Sequence, residues 1–119
     1  MMISLLKSKL HRATVTDANL NYEGSITVSV DLMEAVGLLK FERVLVGNMR
    51  NGERFETYMI PGARGKGEIC LNGATARLGK RGDVLTIMSF ARIAREKAAK
   101  HRPRMVTLEK GNRMPARRK

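Results

Sequence analysis

The sequence predicts an all-β protein: a small closed barrel with one or two short helices and a basic C-terminal tail. Three observations carry this reading. Six short segments rich in β-branched residues recur between turn signals over the first 90 residues. Only one short helix is well marked within them. At 119 residues and 13.3 kDa the chain is about one domain's worth, enough to bury one core without disulfide staples. Many short strands with so little helix favour closure over an open sheet.

The strand segments are residues 13–16, 25–30, 43–46, 54–60, 68–71 and 83–90. Asn51-Gly52 is the strongest hairpin signal and joins the third and fourth by a tight turn. Pro61-Gly62 and the glycines at 65 and 67 mark the next boundary. The helix is predicted to start at Asp31 as N-cap, with Glu34 three residues on completing a capping box. Gly37 sits where a left-handed C-terminal cap belongs. A second helix is expected over 93–100, ending before Arg102-Pro103, and a final strand over 103–109. The eight methionines are read as adaptable core filler. The barrel domain is placed at 1–110, and 111–119, without apolar periodicity, reads as a disordered tail.

Composition excludes several classes. One cysteine rules out an intrachain disulfide and a cysteine-based zinc cage, and two isolated histidines argue against any metal site. The longest stretches without a charge are eight residues, 69–76 and 84–91, so no membrane-spanning helix is expected. The N-terminus has the wrong charge order for a secretory signal, which predicts a cytoplasmic protein. The net charge of +12 raises a nucleic-acid-binding barrel as the alternative function. That charge is uneven: residues 1–90 hold twelve Lys/Arg and nine Asp/Glu, whereas 91–119 hold eleven and two. Aromatic residues are 4% and tryptophan is absent, a poor basis for base stacking. Nucleic acid is therefore an unlikely partner beyond weak tail electrostatics.

Gly24-Ser25, just before a predicted strand, is an ordinary turn when taken alone. It also permits one specific reaction. A serine hydroxyl can attack the carbonyl of the preceding residue if the oxyanion is stabilised, and glycine there leaves the approach open. The resulting ester splits by β-elimination, and the dehydroalanine left behind hydrolyses to a pyruvoyl group. Such a group is an electron sink made from the chain itself.

Several blocks extend this reading. Residues 7–16 (KSKLHRATVT), 20–26 (LNYEGSI), 51–58 (NGERFETY), 72–74 (NGA) and 82–83 (GD) together resemble the bacterial aspartate 1-decarboxylase family, in its order and spacing. The resemblance implies a six-stranded double-psi β-barrel and a homotetramer with sites at subunit interfaces. It implies self-cleavage between Gly24 and Ser25 into chains 1–24 and 25–119, with a pyruvoyl cofactor derived from Ser25 and no metal. L-Aspartate then forms a Schiff base and loses its α-carboxylate, giving CO2 and β-alanine for pantothenate biosynthesis.

The resemblance also assigns residues. Arg54, otherwise a solvated strand charge, becomes a bidentate clamp on a substrate carboxylate. Tyr58, otherwise a half-buried strand aromatic, becomes the proton donor to the decarboxylated intermediate. Thr57 is implicated in substrate binding and in the self-cleavage oxyanion, although an ideal strand points it away from Tyr58, so a bend or bulge is expected. Lys9 and His11, which period two sets on one face of an N-terminal strand, are otherwise an exposed polar edge; read functionally, they put positive charge near a dianionic substrate. The turn at Asn72, Gly73, Ala74 and Thr75 contacts the substrate. Thr75 stands where alanine is usual in the family, and Gly47 where many relatives carry a larger residue; both bear on pocket shape. Cys70 is read as an inert buried thiol, and His101 is given no role.

Overall fold

The longest ladder joins the two ends of the domain: β1 (Met2–Thr14) runs antiparallel to β7 (Val84–Ala94). The computed structural model describes residues 1–21 and 24–116. Between these two strands lie β2 (Asp17–Asn19), β3 (Ser25–Ser29), the helix α1 (Val30–Val36), β4 (Arg43–Asn48), β5 (Arg54–Gly62) and β6 (Ile69–Asn72). After them comes β8 (Arg104–Thr107), parallel to β1. The strand order is β2-β6-β3-β5-β4-β7-β1-β8. Only Val15 and Thr16 separate β1 from β2, and their N–H groups donate to Asp83 and Ile69 carbonyls at 2.8 Å. The chain thus leads from one end of the order back to the other and closes the sheet into a small all-β barrel.

The core is aliphatic. Leu10, Ile26, Val28, Val44, Val46, Met59, Leu71, Leu85 and Ile87 are buried from the strands, and Leu32, Met33 and Val36 from α1. Alternation selects these faces in β4 and in β7 as far as Ser89, where every second residue is buried. Of the methionines, only Met33 and Met59 lie in the core; Met1, Met2, Met49, Met105 and Met114 are exposed, so the filler reading holds for two.

Among the described residues eight strands form, where six and a final one over 103–109 were expected; β8 is that final strand. The predicted segment 13–16 is only the end of the thirteen-residue β1. Its pattern is masked because a core position is occupied by Ser8, whose hydroxyl donates to the Val36 carbonyl at 2.5 Å. Helix α1 begins at Val30 with Ser29 as N-cap, so Asp31 and Glu34 form no capping box. Instead Asp31 accepts the Gly65 N–H, and Glu34 forms a bidentate pair with Arg64, tying α1 to the 62–68 connection. Gly37 caps the helix at φ 75°, as predicted. The expected helix at 93–100 shrinks to a 3-10 turn, Arg95–Lys100, because β7 continues through Ala94 to pair with Met2.

The tail is held further along than expected. Asn112 is 3% exposed at φ 57°, and its side-chain amide mimics a strand backbone. Its Oδ1 accepts the Thr14 N–H at 2.7 Å, and its Nδ2 donates to the Thr14 and Gly67 carbonyls at 2.8 Å. Packed structure therefore reaches past residue 110, and Glu109 bridges Arg113. Residues 117–119 of the expected tail lie outside the described residues.

A buried carboxylate pins the β4–β5 hairpin. Asp83 accepts from Arg50 Nε at 2.6 Å, Asn48 Nδ2 at 2.9 Å and the Lys80 N–H at 3.0 Å. These donors, Arg50 foremost, hold its carboxyl well below the usual carboxylate range. Gly52, at φ 75°, lets the hairpin turn so that its N–H reaches the Asn48 carbonyl at 2.9 Å.

Two outcomes are expected. The unfolded chain protonates Asp83 near pH 4 while the folded chain keeps it ionised, so stability should fall as pH drops below about 4. Thermal melting of Asp83→Asn should show lower stability at neutral pH and a flatter acid limb. In denaturant titration, Asn112→Ala should lose roughly 1–3 kcal/mol by stranding the Thr14 backbone groups, while removal of 115–119 should cost little.

Candidate active site

Two clusters of polar side chains flank β5, one near its middle and one at its start. The first surrounds Ser25, the opening residue of β3. Ser25 is 5% exposed, while Gly24 before it is exposed and has open space where a Cβ would stand. Asn72, opposite Ser25 in the β3–β6 ladder, donates through Nδ2 to Ser25 Oγ and to Thr27 Oγ1, both at 2.9 Å. The Cys70 thiol donates to Asn72 Oδ1 at 3.2 Å and so fixes which way the amide faces. Burial pushes the Cys70 thiol pKa up, which keeps it a neutral donor. Asn72 leads into a 3-10 turn, Gly73–Arg77, with Gly73 at φ 62°. That turn carries Thr75 back over Ser25. Its Oγ1 lies 2.7 Å from the Asn72 carbonyl oxygen and 3.2 Å from that of Ser25. The open side at Gly24 and the donors around Ser25 suit the chemistry expected of this pair. Tyr22 and Glu23 of the motif lie outside the described residues.

The second cluster lies on the outer face of the barrel. Ladder register sets Arg54 opposite Gly47, Gly47 opposite Thr86, and Thr86 opposite His11. His11 Nδ1 lies 3.1 Å from Thr86 Oγ1, and Lys9 follows at period two along β1. Gly47 has open space where a Cβ would stand and leaves a floor in this row. The result is a concavity of about 420 Å³, lined by Lys9, Gly47, Arg54, Thr86 and Met88, with Glu53 at its edge. Among the described residues, neither Lys9 nor Arg54 has a hydrogen-bond or ion-pair partner. Lys9 and Arg54 thus stand over one concavity without a side-chain partner, an arrangement that can receive a carboxylate.

Tyr58 belongs with Ser25 by register. The parallel β3–β5 ladder pairs Ile26 with Met59, which sets Ser25 beside Tyr58 one step earlier. The Tyr58 ring lies 6.3 Å from that of Phe41, tilted by 53°, and Lys40 Nζ lies 4.9 Å from the Phe41 centroid. Period two sets Arg54, Glu56 and Tyr58 on one face of β5 and Thr57 on the other. The register through Thr57 and Tyr58 is unbroken, so the bend expected between them is absent there. The carboxylate of Glu56 is occupied by Arg43, whose bidentate hydrogen bonds hold its pKa below the usual range.

One chain does not unite the two clusters. Arg54 is four residues from Tyr58, about 13 Å along the strand, and Lys9 lies three strands further across the sheet from β5. Ser25, Asn72 and Thr75 gather at one place, with Gly73 and Ala74 in the turn between the last two and Tyr58 one step before the β3–β5 ladder begins; Arg54, Lys9 and His11 gather at another. Thr27, Thr86 and Phe41 were missed by sequence reasoning. The two threonines sit on strand faces that only the register reveals, and nothing local marks Phe41. Among the described residues, no three His, Cys, Asp or Glu side chains are grouped to hold a metal ion. Nor is any helix long and apolar enough to cross a membrane. His101 is structural: its Nε2 sits 2.5 Å from the Leu6 carbonyl oxygen.

The comparisons with known proteins agree with one another. A protein named aspartate 1-decarboxylase from Caldicellulosiruptor saccharolyticus is 54% identical over 114 residues, covering 96% of this chain and 89% of its own. The one from Geobacillus sp. (strain WCH70) is 50% identical, covering 96% and 90%. The one from Ruminiclostridium cellulolyticum is 51% identical, covering 96% and 89%. The sequence profile of the aspartate decarboxylase family matches residues 1–115, and with that match and these identities the chain belongs to that family.

Proposed function

We propose that this chain is the proenzyme of a pyruvoyl-dependent L-aspartate α-decarboxylase, which cleaves itself at Gly24-Ser25 and then releases CO2 and β-alanine for pantothenate biosynthesis. The observation that carries the reading is the buried Ser25 hydroxyl, held by Asn72 beside an unobstructed Gly24. In maturation, Ser25 Oγ attacks the Gly24 carbonyl carbon, the C–N bond breaks, and an ester replaces the amide. Elimination then returns the ester oxygen to Gly24 as a carboxylate and leaves dehydroalanine at position 25. Water adds and ammonia leaves, which completes the balance.

The pyruvoyl group so made supplies an electron sink for the loss of CO2 from an amino acid joined to it. The chain's own residues bind and orient. Arg54 and Lys9 hold carboxylate, Arg54 by its planar fork. Tyr58, beside position 25 in the ladder, delivers the proton that replaces the lost carboxylate. Asn72 and the turn through Gly73, Ala74 and Thr75 wall the site. Thr57 faces away from Tyr58, so its part in binding or in the cleavage oxyanion lies on the inner side of β5. Since Arg54 and Ser25 stand at opposite ends of the β4-paired half of β5, a complete site takes Arg54 and Lys9 from one subunit and Ser25 from another. A homotetramer with interfacial sites meets that need.

Two variants test this reading. Ser25→Ala cannot form the ester, so it should fold, remain a single 119-residue chain and decarboxylate nothing. Intact mass of the unaltered protein should show chain 25–119 lighter by one ammonia than hydrolysis would leave it. Decarboxylation by homogeneous, uncleaved Ser25→Ala would overturn the proposal. Arg54→Lys should cleave normally yet lose about ten- to a hundred-fold in kcat/KM for aspartate, the worth of one charged hydrogen bond. Wild-type efficiency would shift the anchor to Lys9.

A further inference from the structure

We propose that the Thr75 hydroxyl stabilises the charge that develops on the Ser25 carbonyl oxygen during the elimination step of self-cleavage. The inference rests on the maturation proposed above and assigns a step within it.

The chemistry identifies where help is needed. Once the ester has formed, the Cα proton of Ser25 passes to solvent. The C–H electron pair becomes the Cα=Cβ double bond, and the Cβ–O pair leaves with the Gly24 carboxylate. Cα carries negative charge as its proton departs, and only the adjoining Ser25 carbonyl can delocalise it. A donor aimed at that oxygen lowers this barrier and leaves the earlier ester-forming attack untouched, because that attack places charge on the Gly24 oxygen instead.

Thr75 is such a donor. It is 7% exposed, so its hydroxyl is screened from water, and its Oγ1 lies 3.2 Å from the Ser25 carbonyl oxygen. The same hydroxyl is closer, 2.7 Å, to the Asn72 carbonyl oxygen. One proton serves two acceptors. In the resting chain the shorter contact holds it; as the Ser25 oxygen becomes anionic, the proton turns towards it. An interaction that is weak in the ground state and strong in the transition state is the kind that accelerates a reaction. A threonine in a 3-10 turn that bonds back to its own i−3 carbonyl is otherwise an ordinary structural feature. The second acceptor, on the residue that reacts, sets this one apart.

Self-cleavage can be followed by intact mass and by gel, with and without mild neutral hydroxylamine, which cuts an ester far faster than an amide; fragment mass separates that cut from any at Asn51-Gly52 or Asn72-Gly73. Thr75→Val keeps the shape and removes the donor; Thr75→Ser keeps the donor. Thr75→Val should cleave about ten- to a hundred-fold more slowly than the unaltered chain. Its full-length fraction should be split by hydroxylamine into 1–24 and 25–119, because the ester accumulates. Thr75→Ser should cleave near the unaltered rate without that ester. Thermal melting checks that each variant is folded, and Thr75→Ala replaces Thr75→Val if the latter is not. Cleavage of the donor-free variant at the unaltered rate would overturn the inference. So would slow cleavage with a hydroxylamine-resistant chain, which would move the defect to ester formation. Failure of the unaltered chain to cleave would instead overturn the maturation reading, and this inference with it.

Discussion

The buried carboxylate of Asp83 is the constraint on which the geometry of both clusters depends. Burying an anion is costly unless donors replace its water, and here three do: a guanidinium, a side-chain amide and a backbone N–H. The three come from different parts of the chain. Asn48 ends β4, Arg50 lies in the hairpin and Lys80 in the 78–83 loop. The backbone of Asp83 also accepts the Val15 N–H, where β1 leaves its ladder to become β2. One residue thus fixes the hairpin that delivers Arg54 and the crossing that closes the barrel.

The same loop reaches the other cluster. From Asn72 and Thr75, which touch Ser25, the chain needs only three residues to reach Leu78. The Leu78 carbonyl accepts from both Asn48 and Asn51 at 3.1 Å. Gly79 keeps this crossing close: a Cβ there would come within 2.7 Å of Leu71 Cδ1 and 3.1 Å of Asn48 Nδ2 and would have to displace them. The serine cluster and the arginine hairpin are therefore held by one short, hydrogen-bonded segment, although their side chains do not meet. β5 imposes the separation. Its first half pairs with β4 and its second half with β3, so residues at its two ends belong to different ladders. A rigid strand cannot fold Arg54 back onto Ser25, which is the separation that the proposed interfacial site answers.

What could be read from the sequence follows the range of the forces involved. The hairpin at Asn51-Gly52 and the cap at Gly37 are decided by local dihedrals, and both were legible. Strand lengths were not, because polar residues such as Ser8 hold core positions through contacts 28 residues away in the chain. The helix start was misread for the same reason: Asp31 and Glu34 bond to Gly65 and Arg64 rather than to their own helix. Asn112 looked like part of a polar tail, since its partners, Thr14 and Gly67, lie across the fold. In the site, the motif around Ser25 and the cations at 9 and 54 were legible as residue types. Their division into two clusters is a property of register, which no single segment encodes.

The environment of Ser25 has to satisfy two chemical states in turn, and the Asn72 amide is suited to both. Its two N–H groups are divided between Ser25 Oγ and Thr27 Oγ1. In the proposed maturation Ser25 Oγ departs with Gly24, and one buried N–H loses its acceptor. A stranded donor of this kind costs roughly 1–3 kcal/mol. Residue 25 then gains a new oxygen from water at Cα, one bond nearer the backbone than the hydroxyl it lost. Cys70 holds Asn72 Oδ1 from behind and Thr27 holds the other N–H, so the amide stays aimed at residue 25 through that change. A donor fixed by two neighbours keeps its place while the residue beneath it changes, so the barrel around position 25 need not rearrange for the proposed chemistry.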